Sequence, residues 1–358
     1  MLQSQLDIYR HNYNYYKIYH FKRMNKFNLF EQDLTELYID KVPINLSPSL
    51  SFRSRCEFGY SKNAYTMKDS SKTIYLNKFL YADRSIQELM PKILEIINES
   101  QIVKNKLFQI NFRTNSKNKI LVTLIYHLKV NELLIKTIEE ISKKLNVDII
   151  IRSKNFIHAT NDNFLEDKLE YSKLNIFQTD NCFYQPNKFL LNRMISKVIN
   201  FVENPNDLIE LYCGVGTFTL PLSKVFKNVF ATENNRNAYK CLLKAIQKNK
   251  INNIHPARLS SDEVTDLECG RKFNRMDGIP FSSFNFSHVL VDPPRSGLTD
   301  DVIDIISKYK NIIYISCNPK SYIRDIKFLS SHEIKKIELF DQFPNTEHLE
   351  IISLLQRK

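Results

Sequence analysis

Hydrophobic and polar positions follow different rhythms in the two halves of this chain. In the first half, period-two segments dominate. Residues 51–59 alternate and read as a strand with Arg53, Arg55 and Glu57 on one face. Residues 106–112 and 119–127 alternate as well, and the polar turn 114–118 between them makes them neighbouring strands. Segments 65–76 and 147–151 supply further strands. Helical spacing marks 86–97, capped by Asp83 or Ser85, and 133–145. Residues 1–30 also read as helix, with Leu6, Tyr9, Tyr13, Tyr16, Ile18, Phe21 and Met24 near helical spacing. Pro43 and Pro48 bracket a linker after it. With no Gly-rich loop among these elements, an α+β domain is expected to about residue 180.

From residue 181 the rhythm becomes regular β-α alternation. Strands are expected at 208–212, 228–232, 288–291 and 312–315, with helices at 188–202, 217–226, 237–248 and 300–308. Such alternation implies a mainly parallel, doubly wound sheet. Two last strands, 334–340 and 349–355, follow each other without a helix and predict an antiparallel pair at one edge. The fold expected is thus α/β over 181–358, behind an N-terminal α+β domain over 1–180.

Length and composition agree with two domains in a globular protein, since 358 residues exceed one ordinary core. No apolar run approaches the ~18 residues of a membrane helix, and the first ten residues lack the apolar core of a signal peptide. Six cysteines (56, 182, 213, 241, 269, 317) are scattered with no CxxC pair, which argues against zinc, an iron–sulfur cluster or a disulfide framework and favours a reducing cytoplasm. Net charge is +12, which points to a polyanionic partner, most simply nucleic acid. His20, Lys22, Arg23 and Lys26 lie among the aromatics of the first helix. That mixture suits RNA stacking, but packing with a solvated basic face explains it better.

Three segments carry candidate chemistry. Glu210-Leu-Tyr-Cys-Gly-Val-Gly-Thr-Phe-Thr219 joins a strand to a helix, and Gly214 and Gly216 let the backbone approach a ligand. Glu233 ends the next strand, where a carboxylate binds ribose hydroxyls. Thr219 stands where a dinucleotide fingerprint has its third glycine, so S-adenosylmethionine is favoured over NAD. In His288-Val-Leu-Val-Asp-Pro-Pro-Arg-Ser-Gly297, a strand ends at Asp292 and two prolines stiffen the exit loop. Such a loop holds a polar group against a flat base, with Arg295 near phosphate or base edge. In Asn311-Ile-Ile-Tyr-Ile-Ser-Cys-Asn-Pro-Lys320, a buried strand delivers the thiol of Cys317 to its carboxyl end, the ligand-binding edge of such sheets. Alone, that cysteine reads more simply as a packed small hydrophobe.

Taken together, ELYCGVGTF, VDPPRSG, YISCNP and DQFPNTEHLE resemble the RNA 5-methyluridine methyltransferases. SFRSRCEF, KLFQINF, VTLIYH and KFNRMDGI extend the resemblance over nearly the whole chain, and it is strongest to the members acting on the T-loop of tRNA. The ribosomal-RNA members usually carry an extra N-terminal barrel and a cysteine-ligated iron–sulfur cluster, for which this chain has neither length nor cysteines. The resemblance implies a Rossmann-like class I S-adenosylmethionine-dependent methyltransferase domain behind an RNA-binding domain. It implies that Gln185, Tyr212, Gly214, Thr217, Glu233 and Asp292 hold S-adenosylmethionine, with Thr217 standing where relatives have Asn. It makes Cys317 the nucleophile and Glu350 the general base. Without the resemblance, Glu350 reads as a surface carboxylate near Glu347 and His348. Partners implied are the T-arm of tRNA and the corresponding loop of tmRNA, with no metal, no membrane and no obligate protein partner; Arg53, Arg55 and Arg295 are the candidate RNA contacts.

The chemistry explains the residue types. C5 of uracil is too weak a nucleophile to take a methyl group from a sulfonium unaided. A thiolate adding at C6 activates C5, and a base must later remove the C5 proton so that the thiolate can leave. A pocket that lowers the thiol pKa is therefore expected around Cys317. Rival readings are the same chemistry on ribosomal RNA, an amino-group methyltransferase that needs no Cys317, a non-catalytic RNA-binding or RNA-folding protein and, most distantly, a dehydrogenase.

Overall fold

The computed structural model describes residues 23–69, 72–344 and 346–358; most of the aromatic positions expected in the first helix lie outside them. The described part of that helix, α1, covers 23–34. Phe27, Phe30 and Leu34 on one face of α1 are buried in the core of the C-terminal sheet, so this helix packs, but the solvated basic face expected with that packing is not found at Arg23 and Lys26, which turn inward to the buried Asp341; His20 and Lys22 lie outside the described residues. The bracketed linker contains a short strand, β1 (Ile44–Asn45).

The N-terminal sheet has seven strands in the order β4-β3-β2-β5-β6-β7-β8. They are β2 (Arg55–Ser61), β3 (Ala64–Asp69), β4 (Lys72–Leu76), β5 (Leu107–Thr114), β6 (Ile120–Tyr126), β7 (Asp148–Ser153) and β8 (Phe156–Ala159). The expected single strand at 65–76 is thus a hairpin, β3–β4, with Tyr65 opposite Leu76. Helix α2 (Arg84–Glu99) is capped by the Asp83 carboxylate, which accepts from the Ser85 amide at 2.9 Å. After the short α3 (Gln101–Lys104), α4 (Glu132–Leu145) joins α2 over one face of the sheet. A hairpin of β9 (Leu165–Leu169) and β10 (Leu174–Gln178) follows.

Helix α5 (Lys188–Asn200) leads into the C-terminal sheet. Its strands are β11 (Asp207–Leu211), β12 (Asn228–Thr232), β13 (Ile254–Ala257), β14 (Phe286–Val291), β15 (Asn311–Ser316), β16 (His332–Phe340) and β17 (Glu350–Arg357), and β1 is added to them. The order is β1-β16-β17-β15-β14-β11-β12-β13. β11 to β15 are parallel, while β17 runs antiparallel between β15 and β16. The last two strands do pair antiparallel, but β1 rather than β16 forms that edge. Helices are α6 (Thr219–Leu222), α7 (Arg236–Asn249), α8 (Ser261–Glu268), α9 (Asp300–Ile306) and α10 (Pro319–Phe328). The expected helix at 217–226 shrinks to α6 because Pro221 withholds a backbone donor and turns follow on both sides.

The chain crosses between the two sheets more than once. α1 and β1 lie in the sequence half read as one domain, yet they pack on the C-terminal sheet. The β9–β10 hairpin also shares that sheet's core through Leu169, Ile176 and Phe177. Among the described residues, no helix is long and apolar enough to cross a membrane.

Candidate active site

The sheet's hydrogen-bond register assembles the site. On β15 and β17, Ser316 pairs with Ile351, so the next step of the ladder brings Cys317 opposite Glu350. Leu211 of β11 pairs with Val291 of β14, which sets Tyr212 beside Asp292 one residue on. Glu210 pairs with Ala231 of β12, and two steps further along Tyr212 and Glu233 leave the sheet together. Parallel strands β11, β12, β14 and β15 therefore end at one edge with Tyr212, Glu233, Asp292 and Cys317, and antiparallel β17 starts there with Glu350.

At the β11 end the backbone enters the left-handed region, which strains Tyr212 but not the two glycines after it. Tyr212 has φ +60°, Gly214 +57° and Gly216 +93°, so the chain turns sharply out of the strand. A Cβ on Gly214 would meet nothing within 4 Å, which leaves open space for a ligand. A Cβ on Gly216 would lie 2.6 Å from Leu242 Cδ1, so this glycine serves packing against α7 and not ligand approach. The Glu233 carboxylate accepts from the Gly214 amide at 2.9 Å and from the Asn235 amide, and this fixes its position at the rim. Thr217 is buried in the same turn. Gln185, also buried, accepts 2.7 Å from the side-chain amide of Gln342.

At the β15 end, the half-buried Cys317 has Glu350, Asp292 and Arg295 as electrostatic neighbours. Glu350 is only 3% exposed, which overturns its reading as a surface carboxylate. Burial, then the nearby Asp292, pushes the Glu350 carboxyl well above its usual range, and Arg295 opposes this. Burial likewise raises Asp292. The expectation of a lowered thiol pKa fails for the protein alone. Burial and then Glu350 and Asp292 push Cys317 up to about 11, and Arg295 compensates only in part. Arg295 is exposed; its Nη2 lies 3.0 Å from His348 Nε2, and its carbonyl accepts from Asn318 at 2.8 Å.

The two N-terminal arginines part company. Arg55 pairs with Glu57 at 2.5 Å. Arg53 Nε is buried without a hydrogen-bond partner, and its guanidinium lies 5.8 Å from the Phe343 ring centre. Both line a cavity of about 280 Å³ between the two sheets, together with Phe183, Arg295 and Phe343. Residues that the sequence reading left without individual roles sit in the β16–β17 connection: Gln342 touches Gln185, Phe343 touches Arg53, and His348 touches Arg295. Polar residues clustered just before a buried strand were the available signal.

A parallel α/β sheet with a seventh strand inserted antiparallel, and a Gly-x-Gly turn facing a strand-end carboxylate, define the Rossmann-like methyltransferase class. The chain superposes on the crystal structure of the tRNA (uracil-54, C5)-methyltransferase of Pyrococcus abyssi, in complex with S-adenosyl-L-homocysteine, with a TM-score of 0.72 over 92% of this chain and 83% of that one, at 21% identity. The model of the tRNA (Uracil-5-)-methyltransferase family matches residues 18–358, and the chain belongs to that family. Among its relatives, the tRNA/tmRNA (uracil-C(5))-methyltransferase of Campylobacter concisus is 39% identical over 93% of both chains. That of Campylobacter lari is 41% identical over 88% of this chain and 93% of its own.

Proposed function

We propose that this protein methylates C5 of the T-loop uridine of tRNA, and of the corresponding loop of tmRNA, in the cytoplasm. The observation that carries the mechanism is the β15–β17 register that sets Cys317 opposite Glu350, beside Asp292 and Arg295. The relatives' names, tRNA/tmRNA (uracil-C(5))-methyltransferase, support the substrate. The open space at Gly214 and the anchored Glu233 fit a nucleoside-bearing methyl donor, held by Gln185, Tyr212, Thr217, Glu233 and Asp292. When bound, S-adenosylmethionine supplies an electrophilic methyl group.

The protein's residues do the rest. The target uridine, flipped out of its loop, enters the edge between β14 and β15. Cys317 gives its thiol proton to solvent, its Sγ bonds to C6, and the electron pair of the C5–C6 double bond moves toward C4 and O4. C5 would then take the methyl group as the donor's methyl–sulfur bond breaks and its electron pair stays on that sulfur. Glu350 takes the remaining proton from C5, the double bond re-forms, and the Sγ–C6 bond breaks. A carboxylate held in a dry site is a stronger base than one in water, which suits Glu350 to an unactivated C–H. Arg295 acts on both Cys317 and Glu350 and favours their ionised forms. The cavity with Arg53 and Phe343 receives RNA flanking the target.

A T-arm RNA carrying 5-fluorouridine at the target tests this reading, because fluorine cannot depart as a cation and the adduct persists. With S-adenosylmethionine, a band that survives denaturation and is absent from Cys317→Ala is the expected result. Efficient methylation of ordinary T-arm RNA by Cys317→Ala would sink it.

A further inference from the structure

Lys26 of α1 is 7% exposed and has no part in the chemistry above. Its ammonium donates to three carbonyls of the β16–β17 connection: Phe343 at 3.1 Å, Thr346 at 3.2 Å and His348 at 2.8 Å. It also lies 2.6 Å from Asp341 Oδ1, a fully buried carboxylate that begins the same connection. Arg23, one turn earlier on α1, bonds Asp341 as well and ties it to the Ser47 carbonyl beyond β1. Converging carbonyls repel one another unless a cation sits among them, and a buried cation needs such acceptors. Lys26 therefore fixes the fold of the connection, and α1 carries that order from the far end of the chain.

What the connection delivers gives this brace its meaning. Phe340 pairs with Glu350 at its closure, so its geometry sets where the Glu350 carboxylate begins. His348, whose carbonyl Lys26 holds, also places Nε2 against Arg295. Resting on the reading of Cys317 and Glu350 above, we propose that Lys26 is a positioning residue for Glu350: it acts through the β16–β17 connection to hold the carboxylate on the C5 proton. Formation of the Sγ–C6 bond needs Cys317 and not Glu350, so loss of Lys26 should spare the first step and slow the last.

The experiment uses the full-length protein, S-adenosylmethionine and two T-arm RNAs, one with uridine and one with 5-fluorouridine at the target. Wild-type trapping on the fluorinated RNA tests the underlying reading by itself. Given that adduct, Lys26→Met is expected to trap fluorinated RNA as wild type does. On uridine RNA it should release product about tenfold or more slowly and accumulate a denaturation-resistant adduct that wild type does not. Lys26→Arg, which keeps a cation among the carbonyls, should restore much of the release rate. A merely structural role would lower the melting temperature without changing the share of adduct. Wild-type release by folded Lys26→Met overturns the proposal, as does equal loss of adduct and product. If Lys26→Met does not fold, Lys26→Gln is judged by the same criteria, and failure of both to fold makes Lys26 a structural brace only and overturns the positioning role.

Discussion

Two thiols in this molecule sit in contrasting pockets, and the contrast runs against a simple rule. Cys182 is buried where the N-terminal sheet meets α7. A hydrogen bond from Cys241, the charge of Arg113 and the Thr179 amide, 3.2 Å from Sγ, hold it below its ordinary value despite burial. Cys317 lies at the open edge of the C-terminal sheet, and burial with two carboxylates pushes it up to about 11. By thiolate character alone, Cys182 is the better nucleophile. Yet the buried Arg113 that favours its thiolate is spent on the carbonyls of Asp180 and Cys182 and on Gln178, so the pocket is closed around it. Position at a ligand edge, not resting ionisation, separates the thiol proposed for chemistry from the one that packs.

The largest expected effect tests that separation directly. Cys317→Ala should lower methylation of T-arm RNA by at least ~10³-fold, since the addition at C6 proposed to activate C5 is lost. Cys182→Ala should change the rate by less than about threefold and act mainly on the melting temperature through a lost buried contact. The two are compared by methyl incorporation into RNA together with thermal unfolding. A dead Cys182→Ala of normal stability would reverse the assignment.

A smaller effect sharpens why Cys317 rests as a thiol. Its pKa stands above the ordinary value because the thiolate is penalised, so alkylation should rise with pH around a midpoint near 11. Glu350→Gln removes one of the two opposing charges, and the midpoint should fall, while reactivity of Cys182 stays where it was. Alkylation followed by peptide mapping separates the two sites and sets aside the exposed Cys269. A sulfonium cation near the carboxylates acts in the same direction, so S-adenosylmethionine should lower the midpoint more than S-adenosylhomocysteine, which is neutral at sulfur. An unmoved midpoint in Glu350→Gln would mean that the carboxylate does not reach the thiol.

How much of this was legible in the sequence follows from what each signal encodes. The strand cores at 228–232, 288–291 and 312–315 were clear because parallel strands buried on both faces leave unbroken apolar runs. Asp292 and Cys317 were legible with them, since each ends such a run. The pairing of Cys317 with Glu350 was not, because strand register is a long-range property. α10 did not stand out, because Pro319 directly after a strand gives no helical period; it is the first helical residue, behind an Asn318 cap whose side chain accepts at 3.2 Å from the Lys320 amide. α8 was missed although Ser260 and Glu263 form a capping box. The thiol pKa was not legible because it was argued from what the reaction requires, while the carboxylates that decide it arrive from β14 and β17.

The smallest effect concerns RNA affinity and pits Arg53, which bridges to Ala82 and Asn187 just ahead of β2, against Arg55, the first residue of β2. Arg53 keeps an unpartnered Nε in the cavity between the sheets and stacks near Phe343, whereas Arg55 is paired with Glu57. Among the described residues Arg53 has no ion-pair partner to give up for a phosphate, whereas Arg55 must leave Glu57. Arg53→Ala should weaken T-arm binding several-fold and reduce the slope of log K against log salt by about 0.7–0.9. Arg55→Ala should do less on both counts, and Glu57→Ala, which releases Arg55, should strengthen binding slightly. None of these three changes should alter the alkylation midpoint of Cys317, because that thiol takes its field from Glu350, Asp292 and Arg295. An Arg53→Ala protein with an unchanged salt slope would show that the cavity receives a base without phosphate, and would move the backbone contacts to Arg295.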